Sequence, residues 1–154
     1  MSIAIARLDA DTAAPEDVAA LDRILTGARA SIVRAGEHLD GAAERLSEAA
    51  SDSERIVLVA RLAPDGTIIG LADGVLGAGG LTIAAIAVDL AHRRRRVAHA
   101  LLDAAAAAGS AKAGERVSVT AGVHSDNAAA LAFFAAHGFV PSGTQGGVTE
   151  LVRA

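Results

Sequence analysis

The chain has no cysteine, no tryptophan and no tyrosine. Without cysteine there is no disulfide, no thiol nucleophile and no cysteine metal ligand. Without tyrosine no phenol can act as a proton donor. Three phenylalanines are the whole aromatic complement, and Lys112 is the one lysine among 14 basic residues. Long apolar runs are missing too: Asp89, Asp103 and Asp126 interrupt the longest stretches, so none reaches the ~18 residues that span a bilayer. Residues 1–11 lack a basic segment followed by an apolar one, unlike a signal peptide. A cytoplasmic protein without a membrane span is expected.

What is present is small and apolar. Hydrophobic residues make up 52% of the 154, about a quarter of the chain is alanine, and charged residues are 21%. That composition describes one globular domain over residues 1–154, with a core of Leu, Ile, Val and Ala packed in small steps. The net charge of -4 argues against a general nucleic-acid binder, which carries a basic face. No H-x-x-x-H or H-E-x-x-H spacing occurs among the five histidines, and no metal site is expected.

Ser2 to Leu8 alternates as a first strand would. Pro15 suits a first helical turn with Glu16 and Asp17 at its positive end, and Val18, Leu21, Leu25 and Ala28 share one face. A second helical stretch is read from Ile32 to Ala50. Three strand-like runs follow, Arg55 to Leu62, Thr67 to Leu76 and Leu81 to Leu90, separated by Pro64-Asp65-Gly66 and by Gly77 to Gly80. Such tight turns imply antiparallel pairing. A helix is expected from about Arg95 to Gly109, a strand from Arg116 to Val123, a helix from Asn127 to His137 capped by Gly138, and two closing strands at Phe139-Val140 and Gly147 to Val152. The order β-α-α-β-β-β-α-β-α-β-β is an α/β (mixed α+β) arrangement, a mixed and mostly antiparallel sheet with flanking helices.

The most informative run is His92 to Leu102, HRRRRVAHALL. An apolar strand ends, a short turn follows and a helix begins, the geometry that offers free backbone N–H groups to a phosphate. Arg93, Arg94, Arg95 and Arg96 lie where the helix dipole is already positive, so each is unfavourable there by ~0.3–1 kcal/mol at low salt. A pyrophosphate in that space would reverse the sign, through backbone donors and bidentate guanidinium contacts. The other readings are arginines fanned into water and a nucleic-acid patch, the latter opposed by the net charge.

With its arginines and the Leu101-Leu102 pair, this run resembles the acyl-CoA signature [QR]-x-x-G-x-[GA] of the GNAT N-acetyltransferases. Arg93 takes the Gln/Arg position, Arg96 the first glycine and Ala98 the last Gly/Ala. The segment from Asn127 through Ala130, Phe134 and Gly138 to Phe139 is similar to the family's N-x-x-A-x-x-x-[YF]-x-x-x-G-F pattern, and the element order is that of the family. The resemblance implies a GNAT fold, acetyl-CoA as co-substrate and an unidentified primary amine as acceptor. It further implies a pantetheine arm held by backbone groups of Ile86, Ala87 and Val88, a pyrophosphate at Arg93 to Ala98 including Val97, and contacts from Asn127 and Phe134. A homodimer through the C-terminal strands is common in such a family. Arg96 at the glycine position need not forbid binding if its side chain points away, since helical φ/ψ suit any L-residue; otherwise it crowds the site or adds a charge to it. Phe134 stands where relatives often carry the tyrosine that protonates the thiolate, and Thr82 where many carry a carboxylate.

An amine of pKa ~10 must lose a proton before it attacks. His124, at a strand end beside the expected cleft, is the first candidate base; Asp73, an acid inside an apolar strand, is the second. Each has a plainer reading, as a surface histidine and as a bulge or turn residue. Asp89 and His92 are expected to cap the turn, while His38 and Glu37 fall where relatives shape the acceptor pocket. A thiolate of pKa ~8.5 leaves without a phenol's help, at a loss of ~10²–10⁴-fold. The departures at Thr82, Arg96 and Phe134 keep open a second function, a CoA-binding module that acts by interaction alone.

Overall fold

The computed structural model describes residues 2–8, 13–27, 32–33, 54–92 and 96–154. The elements are β1 (Ile3–Arg7), α1 (Pro15–Gly27), β2 (Ile32–Val33), β3 (Arg55–Leu62), β4 (Thr67–Gly77), β5 (Gly80–Val88), a 3-10 turn (Leu90–His92), α2 (Val97–Ala113), β6 (Val119–His124), α3 (Ala128–Ala136), β7 (Val140–Gln145) and β8 (Val148–Arg153). The helix expected from Ile32 to Ala50 is corrected at its start, where two β-branched residues form β2; its remainder lies outside the described residues.

Seven strands run in the order β1-β3-β4-β5-β6-β8-β7, with β2 joined to β5 off that path. Among the described residues only β5 and β6 pair in parallel, as the α2 crossover between them requires. Alternation along β3 sends Ile56, Leu58 and Ala60 to one face and Val57 and Val59 to the other. The first face packs Leu81, Ile83, Val119 and Ala121 under Val97, Leu101 and Leu102 of α2 and Phe134 of α3. The second packs Ile68 and Leu71 under Leu21, Ile24 and Leu25 of α1. Helix α1 is also pinned by charge: Arg61 Nη1 and Nη2 donate to Asp17 Oδ1 and Oδ2 at 3.0 and 3.1 Å. The Arg61 hydrogen bond holds the Asp17 carboxyl below the usual carboxylate range, against burial, which pushes it up.

Two glycines set the spacing around the central strand. A Cβ on Gly70 would lie 3.0 Å from Leu101 Cδ1 and 3.2 Å from the Ala87 carbonyl, so α2 settles close on β4. Gly80 has φ +118, and a Cβ there would fall 2.3 Å from the Ser118 carbonyl oxygen.

Candidate functional site

The sheet is whole at one end and open at the other. Strand β5 meets β6 at Leu81↔Val119, Thr82↔Thr120 and Ile83↔Ala121, and no further. Against β4 its register passes from Gly74↔Ile83 to Asp73↔Ala85, which leaves Ala84 as an extra residue. A bulge bends its strand and breaks the ladder beside it. Beyond Ala84, therefore, β5 leaves β6, and a wedge opens between residues 85–88 on one wall and 122–124 on the other. Part of the freed β5 edge is taken by β2, through Ile32↔Ile86 and Val33↔Ala85. The Ile86 and Ala87 side chains are buried and Val88 is half-buried, so what this wall presents to a ligand is main chain.

At the head of the wedge the chain turns into α2. The Asp89 carboxylate accepts from the Ala91 N–H at 3.4 Å, and its carbonyl accepts from the His92 N–H at 2.8 Å. Asp89 thus caps the 3-10 turn. Among the described residues His92 Nδ1, which is buried, has no hydrogen-bond partner; it lies 3.8 Å from Asp89 Oδ2. Arg93, Arg94 and Arg95 lie outside the described residues. Arg96 is the residue before α2, and the expectation of helical φ/ψ there is corrected: it has φ 61 and ψ 20, left-handed. That region costs a side-chain-bearing residue ~1–2 kcal/mol and suits glycine. Arg96 makes no side-chain cap; its Nη2 reaches His99 Nε2 at 3.3 Å. The first N–H groups of α2, from Val97 to His99, are those that a helix start leaves without an intrahelical partner. Val97 is buried and Ala98 half-buried, so these positions too offer backbone.

The histidine contacts across the two helices have no signal in the sequence. His137 Nδ1 donates to the Phe133 carbonyl at 2.7 Å, which leaves its Nε2 to accept from His99 Nδ1. The two rings lie 4.6 Å apart, and His99 Nε2 is 3.2 Å from Asp103 Oδ2. A spacing of 38 residues hides this tie between α2 and α3.

The candidate bases separate cleanly. Asp73 is fully buried, and Arg55 Nε and Nη2 donate to its two oxygens at 2.8 and 2.6 Å. The reading of Asp73 as a base is corrected: a carboxylate sealed from solvent and held in a bidentate pair is a structural ion pair. His124 ends β6 opposite Val148, half-buried. Val119, Ala121 and Val123 point into the α2 core, so alternation turns His124 to the α1 face at the mouth of the wedge. Among the described residues its ring has no hydrogen bond or ion pair. Phe134 is also corrected. Its ring is fully enclosed, 5.2 Å from Phe133 in a stack and 4.9 Å from Phe139 edge-on, so it packs the core and shows no surface to a ligand. Asn127 caps α3, its Oδ1 accepting from the Ala130 N–H at 3.1 Å. Thr82 lies before the bulge, in the closed part of the sheet. His38 and Glu37 lie outside the described residues. Glu150, which no spacing marked, stands opposite Gly122 on β8.

Residues 21–139 match the family described as Acetyltransferase (GNAT) family. No curated protein matches the chain. Among solved structures, the PaiA N-acetyltransferase from Thermoplasma acidophilum in complex with coenzyme A superposes with a TM-score of 0.76 at 16% identity, over 99% of both chains. An acetyltransferase from Thermus thermophilus gives 0.73 at 23% identity, over 99% of this chain and 97% of the other. A GNAT-family acetyltransferase from Streptococcus pneumoniae gives 0.73 at 20%, over 99% and 98%. At these identities the likeness is one of fold.

Proposed function

The chain belongs to the GNAT acetyltransferase family, and from that premise we propose that it moves an acetyl group from acetyl-CoA to a primary amine of a small molecule or a protein. The observation that supports the reading is the parting of β5 from β6 beyond Ala84, next to the first amides of α2, with β2 lying along the part of it at Ala85 and Ile86. A pyrophosphate fits those amides, with Arg93 to Arg96 supplying the charge that the helix start otherwise disfavours. The main chain of residues 85–88 would hold the extended arm of the coenzyme and orient its thioester. Acetyl-CoA supplies an activated acyl carbon with a thiolate leaving group. His124, on the other wall and free of partners among the described residues, would take the proton that an ammonium must shed. No phenol faces the sulfur, since the chain has no tyrosine, and the departing thiolate would take its proton from water.

One observation favours a second reading, a CoA-binding or interaction module without turnover. Strand β2 pairs with Ala85 and Ile86, on the edge that the arm would use. Under the catalytic reading those two residues must give way to the coenzyme. A homodimer through β7 belongs to the same proposal; β7 is the sheet's last strand and Val140 is 59% exposed. Equilibrium sedimentation decides that point, since a monomer at all concentrations removes it.

Calorimetry with CoA tests the site, and thiol release from acetyl-CoA with a panel of primary amines tests turnover. Binding with amine-dependent thiol release is expected. Binding without release selects the second reading. No heat and no thermal shift at millimolar CoA overturns both.

A further inference from the structure

The α1 face of the C-terminal strands carries a feature that coenzyme binding does not use. Residues directly opposite in an antiparallel ladder share a face. Glu150 is opposite Gly122, and Val148 is opposite His124; Glu150 is therefore the diagonal neighbour of His124 on the same face. On its other flank Glu150 is opposite Gly143 of β7, where an added Cβ would meet nothing within 4 Å. The carboxylate thus sits half-buried between two positions that have no side chain, with open space on the Gly143 side. Among the described residues no cation pairs with it. Arg153 lies on the opposite face, its guanidinium 5.1 Å from the Phe139 ring centre and bonded to the His137 carbonyl. Arg116 reaches the Ala154 carbonyl instead. An unpaired carboxylate that is partly withdrawn from water is unfavourable until a cation joins it.

We propose that Glu150 is the acceptor-binding residue: it receives the ammonium form of the amine on the glycine-flanked strip and delivers it to His124 at the mouth of the wedge. The inference rests on the acetyl-transfer reading and names its acceptor class, a cationic alkylamine in preference to an uncharged arylamine. In the step, one ammonium proton passes to His124 and the freed nitrogen lone pair attacks the thioester carbonyl carbon. The C–N bond forms and the C–S bond breaks. The nitrogen sheds a second proton; of the two protons released, one goes to the thiolate and one to water.

The test is benzylammonium titrated into the protein, with and without CoA, and followed at the His124 ring by NMR. A saturable shift is expected. A charge-assisted contact of this kind corresponds to about 10- to 100-fold in affinity, so Glu150→Gln should weaken the apparent Kd by at least ~10-fold, Glu150→Asp should restore part of it, and the exposed control Glu115→Gln should leave it unchanged. Aniline, uncharged at pH 7.5, should bind wild type and Glu150→Gln alike. Equal benzylammonium binding by wild type and Glu150→Gln, or no saturable shift in wild type, overturns the proposal. Failure of CoA to bind is a separate result: it removes the acetyl-transfer reading, while the titration without coenzyme still reports on Glu150.

Discussion

At the scale of single residues, two charged side chains occupy positions that resist them. Arg96 holds a left-handed backbone at the entry to α2. Replacing it with glycine removes that strain and adds some unfolded-chain entropy, for a net gain of about 0.5–1 kcal/mol. Denaturant melts of Arg96→Gly should show a higher midpoint at unchanged slope; a lower midpoint would mean that the His99 contact outweighs the strain. Asp73 and Arg55 make the opposite case. Asp73→Ala removes the bidentate carboxylate from a guanidinium only 15% exposed, at a cost of about 3–5 kcal/mol. The double variant Asp73→Leu with Arg55→Met should recover most of that, and a double variant as unstable as the single would show that the pair's value lies in packing alone. The sequence marked Asp73 correctly as an acid in an apolar strand. Its role was hidden because the partner stands on another strand, 18 residues earlier.

At the scale of elements, helix α1 and the β4–β5 hairpin each carry one contact that a single substitution tests. The Asp17 carboxyl is depressed in the folded chain by Arg61. A depressed carboxyl adds stability above its unfolded value, ~3.9, and that stability is lost as pH falls through the folded value. Acid titration of stability should therefore be steeper below about pH 4 in wild type than in Asp17→Asn, and identical limbs would remove Asp17 from the account. Gly80 has no room for a Cβ against the Ser118 carbonyl, whereas Gly79 meets nothing within 4 Å. Gly80→Ala should destabilise by at least ~2 kcal/mol and Gly79→Ala by well under 1; equal melts for the two would refute the close approach. Strand β3 was legible to the residue, from Arg55 to Leu62, because a turn bounds its end and an apolar run fills it between Arg55 and Arg61. The ends of α2 were less so. The helix begins only after the left-handed Arg96 and passes Gly109, where an added Cβ would lie 3.4 Å from Leu81 Cδ2, before Gly114 ends it at φ +77. A glycine inside a helix and a glycine ending one look alike in sequence.

At the scale of the whole molecule, the element order, β2 excepted, and the antiparallel pairing of β3, β4 and β5 through their tight turns were readable, and the long-range pairing was not. Local periodicity and turn residues supply the order. The Ala84 bulge, the β2 contact and the placing of Glu150 between two glycines all depend on which strands meet, a choice made between segments distant in sequence. A further consequence follows from the parallel join. Strands β1, β3, β4 and β5, with α1 and α2, come from the chain before Gly114; β6, β8 and β7, with α3, come from the chain after it; three residue pairs connect the two sets in the ladder. Each portion brings its own hydrogen-bonded strands and its own share of one apolar layer, including Leu101 and Phe134. Cut in the loop after Gly114, the polypeptide should behave as a complementing pair, two fragments that are inert apart and reconstitute a native-like thermal transition on mixing.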